Sequence, residues 1–126
     1  VKPEMTLEEA TIGASRYYKL VKSYVRRTGI DMKTDYAIAA YFAGHSTVVD
    51  QVKKHGGLTD EVIAGQISTK EYVRRYHKAI KELNGTYVPD IELIGGLQEV
   101  LSSLGYYKGK IDGIHGKATE EAIKAY

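Results

Sequence analysis

The side chains that could do chemistry in this 126-residue chain are ten glutamates, four histidines and eleven tyrosines, with no cysteine among them. A glutamate acting as a general acid needs a raised pKa, usually from an apolar wall beside it. Glu8, Glu9, Glu61, Glu82, Glu99, Glu120 and Glu121 fall where helices are expected to face solvent. Glu71 completes a capping box opened by Ser68, and Glu4 and Glu92 lie near the starts of chain or domain. No catalytic residue is therefore assigned. His45, His55, His77 and His115 show no metal-binding spacing, so no metal site is assigned either. The lack of cysteine removes disulfides, thiol nucleophiles and thiolate sites. Tyrosine is the remaining signal: against one Phe and no Trp, eleven flat rings with hydroxyls suit surfaces that stack on the apolar faces of sugars.

These side chains must be carried by helices. Thr6 to about Arg27 has an amphipathic period, with Leu7, Ala10, Ala14, Tyr17, Val21 and either Tyr24 or Val25 on one side. Thr6 and Glu9 form a capping box at its start, and Gly29 ends it. Tyr36 to Ala43 is apolar nearly all round and predicts a central helix, capped by Thr34 or Asp35 and stopped by Gly44. A third helix capped by Ser46 or Thr47 runs to about Lys54 before Gly56-Gly57, and Asp60 to Ala64 adds a further turn. Ser68 opens a helix whose Tyr72, Tyr76, Ile80 and Leu83 share a stripe, closed by Asn84-Gly85. Thr86 to Asp90 reads as an extended linker, because Pro89 disfavours helix at Val88. No period-two alternation predicts a sheet, and the fold class expected is all-α.

Composition sets outer limits. The formal charge of +2 is spread among acids, which gives no electrostatic case for a nucleic-acid partner but is compatible with an anionic envelope polymer. No apolar run approaches the roughly 20 residues of a membrane span, and Val1-Lys2-Pro3-Glu4 does not open a signal peptide. Without Met at position 1, the chain reads as an excised or processed fragment with any export signal upstream.

The last third is the most punctuated. Leu97, Leu101 and Leu104 share a helix face, Gly105 stops that helix, and Gly109, Asp112-Gly113 and Gly116 build a tight loop before a helix from Thr119. Asp112 is expected to stabilise its turn, and Tyr106 and Tyr107 to divide, one buried and one facing a surface groove. In order, Leu97-Gln98, Leu104-Gly105-Tyr106-Tyr107, Gly109, Ile111-Asp112-Gly113, Gly116, Thr119 and Ala122 resemble the peptidoglycan-binding domain appended to bacterial and phage cell-wall enzymes. His115 stands where that family usually has an aromatic. The family's domain normally continues beyond the helix begun at Thr119, so the chain is expected to end within it. The resemblance implies a module site at Tyr106, Tyr107, Asp112 and His115.

Upstream, Ala39-Ala40-Tyr41-Phe42-Ala43-Gly44, Thr69 with Tyr72-Val73, and Gly13-Ala14-Ser15-Arg16-Tyr17 resemble, in order, the second half of the lysozyme-like lytic transglycosylase domain. Phe42 replaces that family's Asn. The family's acid, a Glu in a Glu-Ser-x-Phe context, has no counterpart here. What the resemblance implies is a glycan cleft lined by Tyr41, Phe42, Ala43 and Tyr72, without its catalytic acid and without a cofactor or metal. The organisation expected is a partial transglycosylase domain over residues 1–85, a linker over 86–92 and a partial peptidoglycan-binding domain over 93–126. The implied function is a share in a lytic transglycosylase that cleaves between N-acetylmuramic acid and N-acetylglucosamine with an acid lying outside this chain. The alternative is a non-catalytic anchor of a phage tail or envelope assembly. Expected partners are peptidoglycan glycan strands, the rest of a processed parent chain, or such an assembly, with no nucleic acid and no membrane span. The location is the bacterial envelope or a phage virion.

Overall fold

In a computed structural model of the chain, residues 13–31, 33–84 and 86–126 are described. The Thr6–Glu9 capping box lies outside them. The described residues form a short 3-10 turn, Ala14–Tyr17, and six α-helices: α1 (Tyr18–Arg26), α2 (Thr34–Ala43), α3 (His45–His55), α4 (Thr69–Glu82), α5 (Ile91–Ser103) and α6 (Lys117–Ala125). Among the described residues there is no strand beyond an isolated bridge between Val62 and Ser68, and the fold is all-α as expected.

The central helix is α2. Tyr36 to Ala40 are buried on every side, as a segment without a polar face requires. Its N-terminus has no side-chain cap, because the Asp35 carboxylate instead meets the His77 ring nitrogen of α4 at 2.8 Å. Gly44, at φ +87°, lets α3 begin immediately at His45 without the Ser46 or Thr47 cap. The cap on α4 is as expected: Ser68 Oγ accepts from the Glu71 amide at 3.0 Å, and Tyr72, Tyr76, Ile80 and Leu83 are buried along one stripe.

Two elements depart from expectation. Residues 60–64 are not helical: the Gln66 amide donates to the Ile63 carbonyl at 2.9 Å, and Ala64 and Gly65 both have positive φ, which makes a tight reversal. β-Branched Val62 and Ile63 favour the extended arms on the turn's leading side. The long helix ending near Arg27 is, in its described part, a 3-10 turn followed by α1, joined at Tyr17 with φ −108° and ψ 6°. The main chain of α5 lies against this turn, since a Cβ built on Gly96 would stand 1.6 Å from the Ser15 carbonyl oxygen.

Among the described residues one hydrophobic core runs from Ala14 and Tyr18 through α2 and α4 to Ile94, Leu97, Leu101, Ala122 and Ile123. The last two helices are thus packed on the first four. Polar ties reinforce the junction: Tyr76 bonds to Ser15, the Tyr18 hydroxyl is 3.2 Å from Ser103 Oγ, and Arg16 pairs with Asp90. No helix among the described residues is long and apolar enough to cross a membrane.

Candidate functional site

The loop between α5 and α6 is built around a buried amide. Leu97, Leu101 and Ile94 turn one face of α5 into the core, and Gln98, on the adjoining strip of the helix, is fully buried with them. An apolar-facing glutamine must find partners for both ends of its amide. Gln98 Oε1 accepts from the amides of Asp112 at 3.1 Å and Gly113 at 3.0 Å. Its Nε2 faces Asp112 Oδ1 at 3.0 Å, the Ile114 carbonyl at 3.2 Å and Thr119 Oγ1 at 2.9 Å. One side chain therefore fixes the turn at 112–114 and the first turn of α6 to α5.

The glycines make this geometry possible. Gly105, at φ +89°, closes α5 with the Tyr106 amide on the Leu101 carbonyl at 2.8 Å and its own amide on Ser102 at 3.0 Å, a Schellman motif. Gly113, at φ +74°, lies so close to Ile91 that a Cβ there would be 2.7 Å from the Ile91 carbonyl oxygen. Most of the spaced motif is thus scaffold: Gln98, Gly113 and Thr119 are buried, and Gly105 and Asp112, though exposed, shape and tie the loop through their backbone and hydrogen bonds.

Asp112 closes an Asx turn by accepting the Ile114 amide at 3.0 Å. That bond, then the Gln98 amide, holds its carboxyl below the ordinary value of 3.8. Asp90 caps α5 by accepting the Leu93 amide, and that bond, with Arg16 adding to it, lowers its pKa in the same way. Because both folded-state pKa values lie below the unfolded ones, their stabilisation is complete above the ordinary carboxylate range and is lost as pH falls through the folded values. Thermal stability is therefore expected to decline as pH falls through and below the ordinary carboxylate range, and Asp112→Asn to flatten part of that decline. A melting series across that range checks it, and an unchanged slope in the variant would refute the role given to Asp112.

The module residues divide. Tyr107 is buried, its hydroxyl bonded to the Lys110 carbonyl and its pKa raised by burial and by the Asp112 carboxylate. His115 is also turned inward: Nδ1 accepts the Val88 amide at 2.9 Å, Nε2 lies 3.6 Å from Glu120, and the ring stacks under Tyr87. Tyr106 is 42% exposed and meets Tyr126 edge-on with centroids 5.4 Å apart. Two apolar residues on the same loop were not expected to form part of the site, Ile111, named only within the motif, and Ile114, which is 63% exposed. An isoleucine flanking a turn glycine reads as packing in a sequence; only the inward turn of the backbone at 112–113 shows that these two are left outside.

Of the upstream candidates, Phe42 stacks on Tyr72 with centroids 4.7 Å apart, and Tyr41 stacks on Tyr17 at 5.5 Å. Tyr72 is buried and its hydroxyl pKa is pushed up by that burial, then by Tyr41. Tyr41, Phe42 and Ala43, at the end of α2, are half-buried. Among the described residues no group of three or more acidic or histidine side chains is placed to hold a metal.

No curated protein and no solved structure matches the chain. The model of a family described as "Putative peptidoglycan binding domain" matches residues 92–126, a span that takes in nearly all of α5, the loop anchored by Gln98, and α6. That match supports a peptidoglycan-binding domain over this segment of the chain, and with it an association with cell-wall glycan.

Proposed function

We propose that this chain is a non-catalytic anchor that holds a larger cell-wall protein or envelope assembly against peptidoglycan, gripping the glycan through the loop between α5 and α6. The observation that carries the reading is the family match over residues 92–126 on a loop whose backbone is pinned by Gln98 while Tyr106, Ile111 and Ile114 remain exposed. A rigid loop presenting an aromatic ring and aliphatic side chains suits the apolar faces of sugars, since little conformational freedom is lost on binding. Asp90 and Asp112 are both shifted toward the charged form, the opposite of what a general acid needs, so neither is a candidate for that role.

The test is co-sedimentation with purified sacculi together with assay of the supernatant for soluble muropeptides. Binding without release is expected. Tyr106→Ala should weaken binding about tenfold, as loss of an aromatic contact does, with the melting temperature nearly unchanged. Unaltered binding by that variant would remove the loop from the contact, and release of anhydro-muropeptides would refute the anchor reading.

A second reading makes residues 1–85 the later part of a lytic transglycosylase domain. Its support is that Tyr41, Phe42 and Tyr72, together with Tyr17, form two stacked pairs at the end of α2. If that face holds glycan, Tyr41→Ala weakens sacculus binding as Tyr106→Ala does.

A further inference from the structure

We propose that the groove between α1 and α5 is a second wall-binding site, for an anionic phosphodiester polymer attached to the peptidoglycan. The groove has a volume of about 420 Å³ and is lined by Lys19, Lys22, Ser23, Arg26 and Arg27 of α1 and its C-terminal end, with Tyr18 at its base and Glu99 of α5 opposite. Four cations thus face one carboxylate. Among the described residues, none of the four takes part in an ion pair.

The cleft between α2, α3 and α4 is a useful contrast. It also contains basic side chains, but Lys70 and Arg74 are paired with Asp60, and His77 with Asp35. Three of its basic side chains are thus tied to carboxylates, whereas among the described residues none of the four cations of the α1 groove is.

The arrangement of the cations selects the ligand. Lys19, Lys22 and Arg26 follow one another along the same side of α1, displaced by about 4.5 and 6 Å along the helix axis at a rise of about 1.5 Å per residue. A row of this kind is neutralised best by a linear ligand that repeats its charge, as a phosphodiester chain does at every unit. Two of the cations are held by rings: the Lys22 ammonium lies over Tyr18 and the Arg27 guanidinium over Tyr24, each 5.7 Å from the centroid. Tyr18 is itself buried, so Lys22 is directed by a fixed side chain. The source follows from position: Glu99, on the far wall, belongs to the segment matched by the peptidoglycan-binding family. A polymer tethered to the wall would reach the groove while the loop holds glycan, and the two contacts would reinforce each other by effective concentration. The inference rests on the wall-binding reading for its source, but its test separates the two.

The experiment measures binding to Gram-positive cell walls before and after hydrofluoric acid removes their phosphodiester polymers. At low ionic strength, binding to intact walls is expected to be about tenfold tighter than to stripped walls, and the preference should shrink as salt rises and the Debye length falls below about 10 Å. Lys22→Glu with Arg26→Glu should abolish the preference and leave binding to stripped walls unchanged. Lys19→Gln with Arg26→Gln, a milder pair, should reduce it in the same direction. Equal binding to intact and stripped walls, a preference that survives both double variants, or equal affinity for duplex DNA of matched charge would each overturn the proposal. Failure to bind stripped walls would instead count against the glycan site.

Discussion

Replacing Gln98 with leucine is expected to lower the stability of the protein by about 4 kcal/mol and to abolish sacculus binding. Leucine nearly preserves the volume, so the cost is not that of a cavity. What it removes is the partner set of the loop. The amides of Asp112 and Gly113 lose their acceptor, and the Ile114 carbonyl, Asp112 and Thr119 lose a donor. Gly113 and Thr119 are buried, and a buried polar group without a partner costs about 1–3 kcal/mol. The Thr119 hydroxyl still reaches the Ile114 carbonyl at 3.2 Å, and the Ile114 amide still reaches Asp112, so part of the turn survives in the variant. That residue of local structure is why the estimate stops short of the sum of the lost bonds. Hydrogen exchange gives the sharper readout: the amides of Asp112, Gly113 and Ile114 should lose protection before those of α2 or α4. A variant that binds sacculi normally, with the turn still protected, would show that Gln98 is dispensable to the loop.

The contrast between Gln98 and its neighbours explains how far the sequence could be read. Leu97, Leu101 and Leu104, with Gly105 after them, announce the end of α5, because apolar spacing and a left-handed glycine are local properties. The cap at Ser68 and the all-round burial of α2 were legible for the same reason. Gln98 was visible as part of a motif but not as its hub, since a buried glutamine and an exposed one have the same letter and differ only in what lies opposite. Thr34 or Asp35 is the expected cap of α2, but neither caps it, and Asp35 is claimed by His77, which is 42 residues away. The same limit governs the site. The tyrosine pair after Gly105 pointed to one buried and one exposed ring, and which is which was settled by the Lys110 carbonyl that receives the Tyr107 hydroxyl. His115 could be marked as unusual in its position, but its burial depends on the Val88 amide and on Tyr87, both outside the motif. Local signals gave the elements; the partners that orient the site residues are distant in the chain.

Adjacent glycines in the middle of α5 give a test in which sign, not only size, is at stake. Helix propensity favours alanine over glycine by about 1 kcal/mol at an interior position, and on that ground Gly95→Ala and Gly96→Ala should both stabilise. The packing separates them. At Gly95 a new Cβ would lie 3.8 Å from the Gly113 Cα, an ordinary contact, so Gly95→Ala is expected to be neutral or to raise stability by up to about 1 kcal/mol. At Gly96 the same atom would lie 1.6 Å from the Ser15 carbonyl oxygen and 2.4 Å from its carbon. Both are backbone atoms, which no rotamer change can move aside. Gly96→Ala must therefore push α5 away from the 3-10 turn, loosening Ile94, Leu97 and the Ser15–Tyr76 bond together, at a cost of about 3 kcal/mol or more. The two variants should move the urea midpoint in opposite directions, or leave one unmoved while the other falls. Equal midpoints would mean that α5 does not rest on the turn at Ser15. The comparison also bears on function, because α5 carries the Gln98 anchor: if the contact at Gly96 sets the seating of that helix, Gly96→Ala should weaken sacculus binding while Gly95→Ala leaves it intact.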